Sequence, residues 1–153
     1  MSEYEIIDAI CDKVNPLLFL LTTGLLINDL YSRTFPKARA RIGFLLGGLV
    51  LVYGFLYLDN QFLIWASFGG DYSTHTAFAI AMGVSISITT RMTKWIIGAL
   101  LLYSLVMLYQ GYHSILDIVT TSIIVGLPLI LVRLLIDSRN LSQGVEQIPD
   151  RSY

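Results

Sequence analysis

Residues 109–121, YQGYHSILDIVTT, close one apolar segment and open another, and they carry a histidine four residues before an aspartate. On a helix, positions i and i+4 share a face, so Asp117 is expected to accept the Nδ1 proton of His113. That would leave Nε2 unprotonated and directed away, as a nucleophilic imidazole requires. The only other histidine, His75, lies in DYSTHTAFAIAM at the mouth of a different apolar segment. These two histidines are the main chemical signal in the chain.

Composition supplies the setting. The 153 residues are 55% hydrophobic and 14% charged, with a mean hydropathy of +0.68. One domain of this size has no core large enough to hide so much apolar surface, which points to a bilayer. A net charge of -1 argues against nucleic acid as a partner. The single cysteine, Cys11, excludes an intramolecular disulfide and a cysteine-based zinc site. No metal or other cofactor is expected. Residues 1–13 lack the basic start and apolar stretch of a secretory signal.

Helical spacing of Ile6, Ile7, Ile10 and Val14 among acidic residues predicts an amphipathic helix lying in the interface over residues 1–15. Asn15-Pro16 is expected to break it. A membrane-embedded domain then covers residues 16–136, with spans at 17–31, 42–58, 74–90, 95–110 and 114–136. Gly43, Gly47 and Gly54 are expected to let helices approach closely, the first two in GxxxG spacing. Residues 59–71 form an interfacial loop anchored by Trp65, Arg91–Lys94 a turn, and residues 137–153 a polar, loosely ordered tail. The expected fold is thus an all-α integral membrane bundle of five transmembrane helices plus an interfacial helix. Span lengths mostly of about 15–17 residues suit a bacterial inner membrane.

Charge then orients the bundle. Arg33, Lys37, Arg39, Arg41, Arg91, Lys94, Arg133 and Arg139 fall on one side, and only Lys13 on the other. The positive-inside rule makes the basic side cytoplasmic. His75, His113 and Asp117 are therefore expected together at the extracytoplasmic surface, by an inference that never used the histidines. Polar groups at a span's end can snorkel or cap, but ionisable groups that converge in a membrane indicate function.

Local sequence adds a resemblance. Ser73-Thr74-His75-Thr76-Ala77-Phe78-Ala79 resembles the second signature of the type 2 phosphatidic acid phosphatase (PAP2) superfamily, usually Pro-Ser-Gly-His. Residues 109–117 resemble the third, an Arg six residues before a His that is followed by x-x-x-Asp. The resemblance covers roughly residues 40–136 and implies a PAP2-like helical bundle. It also implies that His113 attacks phosphorus to form a phosphohistidine, that His75 serves as general acid and base, and that Asp117 orients His113, without a metal.

The sequence departs from that pattern at the phosphate cage. Met107 stands where the third signature has its arginine, no Lys-x6-Arg-Pro precedes the second, and Tyr72 and Thr74 replace the Pro and Gly beside Ser73. Losing one such contact typically costs about 10²–10³ in rate. Substitutes in the sequence are the backbone N–H groups near Thr76 and Ser114, Lys13, and the Ser73 hydroxyl, which otherwise caps a helix. Tyr72, Tyr109, Tyr112 and Trp65 are candidates for an aromatic box around a quaternary ammonium group, or else an interfacial belt.

A monoanionic phosphodiester would need less positive charge, and Gly70-Asp71-Tyr72 is similar to a motif in the sphingomyelin-synthase-like branch of the superfamily. The expected function is lipid phosphatase. Head-group phosphotransferase is the alternative on the same chemistry, and a non-catalytic relative or partner subunit the alternative without it. The expected substrate is a membrane lipid, entering sideways from the outer leaflet.

Overall fold

The computed structural model describes residues 3–88 and 90–146, except for the side chains of residues 3, 4, 90 and 139–146. It contains α1 (Glu3–Tyr31), α2 (Phe35–Phe62), a 3-10 turn (Ala66–Phe68), α3 (Thr74–Ile86), α4 (Thr90–Tyr109) and α5 (Ile115–Glu146). No strand occurs among the described residues. Four helices, α1, α2, α4 and α5, are long and apolar enough to cross a membrane. The chain is an all-helical membrane protein, but the expected five spans are not five equal helices. The third is only 13 residues long, about 20 Å against a hydrocarbon core of about 30 Å.

That short helix is the centre of the bundle, and it packs against each of the other four. Small side chains make this possible. Thr76, Ala77, Ala79, Ala81, Gly83 and Ser85 are all buried along it. Lipid is as apolar as leucine, so helices in a membrane associate through close packing. The closest approach is to α2, where a Cβ added to Gly48 would stand 2.8 Å from the Ala81 Cβ. On the far side, a Cβ on Gly83 would meet Ile96 and Leu100 of α4 at 3.0 Å. The outer helices present Leu20, Val50, Leu101 and Leu135 to the surroundings, as a lipid-facing surface should.

A helix that ends inside the membrane needs protein partners for its terminal backbone groups. At the C-terminal end of α3 these come from Arg41, fully buried, whose Nη1 donates to the Ser85 carbonyl at 2.6 Å. Its Nε donates to Asp29 at 2.8 Å, which joins the ends of α1, α2 and α3. Beside them Arg133 donates to the Ser87 hydroxyl at 2.7 Å. The basic end of the bundle is therefore partly structural, and both histidines lie at the opposite end.

Several boundaries differ from expectation. α1 runs unbroken through Pro16, because Ile7, Cys11 and Val14 pack in one cluster with Ala79, Tyr103, Met107 and Ile118 of the other helices and hold this part of α1 against the bundle. Residues 3–15 are therefore continuous with the first long helix and not a separate interfacial helix, and residues 1–2 lie outside the described residues. α2 already begins at Phe35, with Pro36 in its first turn where no amide is missed. Arg91–Lys94 belong to the start of α4, and α5 continues to Glu146, ten residues past the expected tail boundary. Residues 147–153 and the Arg139 side chain lie outside the description. The four candidate spans contain 19 to 28 residues, which removes the short-span basis for a bacterial inner membrane.

Gly43, Gly47 and Gly54 meet nothing within 4 Å, so the GxxxG pair is not the helix contact. Gly48 is. Substituting Gly48→Ala is expected to destabilise the protein in detergent micelles by about 1–3 kcal/mol, the usual cost of overpacking. Gly47→Ala is expected to be neutral or slightly stabilising, since alanine favours helix. Thermal unfolding of the two variants distinguishes them, and equal effects would contradict the packing described.

Candidate functional site

The site is built by the segment between α2 and α3. α2 ends with Leu63 in the left-handed region (φ 52°), and Gly69 (φ 79°) reverses the chain after the 3-10 turn. Three donors from this segment then reach one face of α5. Trp65 Nε1 donates to the Thr120 hydroxyl (2.9 Å), the Asp71 amide to Asp117 Oδ1 (2.6 Å) and the Ser73 amide to the Thr121 hydroxyl (3.2 Å). Positions 117, 120 and 121 are spaced to share a helix face. Gly70 lies so close that a Cβ there would meet Asp117 Oδ1 at 2.9 Å. Trp65 is fully buried and edge-on to Tyr72, so it pins the loop rather than anchoring it at the interface. Ser73 Oγ accepts from the Thr76 amide and starts α3, which puts His75 in the first turn.

The other wall is the turn between α4 and α5. Gly111 (φ 70°) turns the chain. Ser114 and Asp117 then cap α5 reciprocally: the Ser114 amide donates to Asp117 Oδ2 at 2.7 Å and the Asp117 amide to Ser114 Oγ at 3.2 Å. This is a capping box. His113 immediately precedes it, and the imidazoles of His75 and His113 lie with ring centroids 6.4 Å apart and their planes tilted by 53°. Tyr112 stacks on His75 at 6.3 Å.

The expected His113–Asp117 hydrogen bond is not formed. His113 lies outside the helix, so the i, i+4 geometry does not apply, and both Asp117 oxygens already accept backbone amides. The Nδ1 of His113 stands 3.9 Å from Asp117 Oδ2 and 4.0 Å from Asp71 Oδ2, beyond hydrogen-bond range. It is buried and has no hydrogen-bond partner among the described residues. Asp71, which sequence reasoning did not single out as a site residue, is thus as near to His113 as Asp117 is. Burial pushes the His113 pKa below its ordinary value of 6.5; the Asp71 and Asp117 carboxylates oppose the shift and His75 adds to it. The net effect favours neutral imidazole, the form with a free lone pair.

Beside His75 a hollow of about 440 Å³ lies between α1, α2 and α3, lined by Asn15, Phe19, Tyr53, Thr74 and Phe78. Asn15, noticed in the sequence only as a helix breaker, donates to the His75 carbonyl at 3.4 Å, and its own Oδ1 is buried with no hydrogen-bond partner among the described residues.

The remaining candidates fall elsewhere. Ser73 is fully buried as a cap, and Tyr72 is buried with its hydroxyl donating to the Val52 carbonyl at 3.0 Å. Burial raises the Tyr72 hydroxyl pKa above its usual range. Tyr109 projects outward, 75% exposed. No aromatic box forms from these residues, and of the four only Tyr112 stacks on a histidine. Lys13 lines a separate hollow along α1 with Ile6, Ile10 and Leu17. The amides of Thr76 and Ser114 are taken by their own caps. Met107, in place of the family's arginine, is packed in the core. Among the described residues no lysine or arginine lines the hollow. Among the described residues no group of three or more His, Cys, Asp and Glu is placed to hold a metal ion.

In histidine-labelled protein, the NMR titration midpoint of His113 is expected below 6.5. Asp71→Asn is expected to lower it further, because a carboxylate that favours the imidazolium is removed. A midpoint above 6.5, or a rise on substitution, would contradict this electrostatic balance. No family model, curated protein or solved structure matches the chain.

Proposed function

We propose that the chain is a lipid phosphatase of PAP2 type, cleaving a lipid phosphoester through a phosphohistidine on His113. The observation that carries this reading is the approach of two histidines distant in sequence to 6.4 Å between ring centroids, at one end of the bundle and beside an apolar hollow between α1, α2 and α3. A phosphoryl group between the rings lies within attack distance of one and proton-transfer distance of the other.

In the first step His113 Nε2 forms a bond to phosphorus as the P–O bond to the leaving alkoxide breaks, and His75 gives that alkoxide a proton. In the second step His75 takes a proton from water, the oxygen attacks phosphorus, and the P–N bond breaks to return neutral His113. Asp117 and Asp71 flank Nδ1 and stabilise the positive charge that His113 acquires. Such contacts are often long in the free enzyme and tighten on binding. The basic residues at the far end of the bundle support an extracytoplasmic site, with lipid entering from the adjacent leaflet.

One observation favours a second reading. Among the described residues no cationic side chain lines the hollow, and the exposed Asp71 carboxylate stands beside His113, which repels a dianionic monoester more than a monoanionic diester. With an acceptor hydroxyl in place of water, the same steps transfer a head group.

Assays in mixed micelles separate the possibilities. Release of inorganic phosphate from lipid phosphate monoesters supports the phosphatase, and exchange of head groups between lipids supports the transferase. His113→Ala is expected to abolish either activity, while His75→Ala is expected to lower it by about 10²–10⁴. Absence of both activities from the wild-type protein would make the chain a non-catalytic membrane protein.

A further inference from the structure

A second hollow lies on the outside of the bundle between α2 and α5, at the end away from the histidines. It encloses about 510 Å³, with Gly43, Gly47 and Leu51 of α2 opposite Leu129 and Val132 of α5 and Arg39 at its mouth. Neither glycine meets another group where a Cβ would stand, so they widen a groove rather than receive a helix of this chain. An apolar groove facing hydrocarbon is filled by something.

Length and charge identify the occupant. From Arg39 to Leu51, α2 rises about 18 Å, close to the roughly 15 Å depth of one leaflet, half of the hydrocarbon core. A transmembrane helix from a second copy would run on past Leu51, beyond the described residues that line the groove. An acyl chain from the leaflet at the basic end has the right extent. Its head group would lie level with Arg39, which has no carboxylate within ion-pair distance among the described residues. By contrast, Arg41 and Arg133 are engaged with Asp29 and Asp137. A guanidinium at a lipid surface suits a phosphate oxygen pair, and Lys37 nearby in sequence adds positive charge.

We infer that the α2–α5 groove binds one anionic phospholipid from the leaflet at the basic end, with an acyl chain against Gly43 and Gly47 and the phosphate on Arg39. The site is independent of the reaction proposed at the histidines, because it lies at the other end of the bundle and shares no residue with it.

Native mass spectrometry of the full chain, purified in detergent with equimolar phosphatidylglycerol and phosphatidylcholine, tests this. The wild-type protein is expected to retain one lipid, favouring phosphatidylglycerol about fivefold. Arg39→Gln is expected to bring the two lipids to parity without loss of lipid. Gly47→Leu, which fills open space rather than packed protein, is expected to lose bound lipid of both kinds while unfolding at an unchanged temperature. Three results would overturn the inference: equal retention of the two lipids by the wild type, undiminished retention by Gly47→Leu, or a dimer that Gly47→Leu disrupts in place of a bound lipid.

Discussion

The Asp117 carboxylate holds the histidine end of the bundle together. One oxygen accepts the Asp71 amide at 2.6 Å and the other the Ser114 amide at 2.7 Å, so one side chain joins the segment before α3 to the turn before α5. His75 follows the first segment directly, in the opening turn of α3, and His113 lies in the second. Hydrogen bonds to a charged acceptor are the stronger kind, worth about 1.5–3 kcal/mol each in net stability. Trp65 and Ser73 extend the same seam to Thr120 and Thr121. The distance between His75 and His113 is therefore set by backbone attachments, not by contact between the imidazoles.

The seam matters because α3 is too short to reach both surfaces of a membrane. Its start is capped by Ser73 within the loop fastened to α5, and its end is closed by Arg41, itself paired with Asp29. Both termini thus have protein partners for their end groups. A buried ion pair adds little stability over an apolar replacement, but loss of one partner costs about 3–5 kcal/mol. This makes Arg41 a determinant of which helices meet as well as part of the charge bias that orients the chain. The small residues along α3 then let four longer helices close around it.

Much of this could be read in the sequence, and the failures have physical causes. Apolar content indicated the membrane, and charge bias brought both histidines to one end. The i, i+4 spacing of His113 and Asp117 suggests a shared helix face, whereas Ser114-x-x-Asp117 spells a capping box that starts the helix after His113. Once that box is recognised, His113 falls outside the helix and Asp117 has a structural duty. Gly43 and Gly47 matched a known spacing, but a spacing does not say which helix face is turned inward; Gly48, one residue on, was the packed one. Trp65 and Tyr72 were given to the surface because aromatic residues gather there, yet a short loop fastened to α5 buries both. Pro16 gave a local break signal that packing of Cys11 and Val14 overrode.

Cross-linking tests most directly whether backbone attachments hold the two histidine positions together. His75→Cys and His113→Cys can be combined in a Cys11→Ser background and treated in membranes with a short thiol-reactive bifunctional reagent. The account predicts an efficient intramolecular cross-link, and its loss when Asp117→Ala is added. A pair that fails to cross-link although each cysteine is labelled by a monofunctional reagent, or that cross-links equally well without the Asp117 carboxylate, would contradict it.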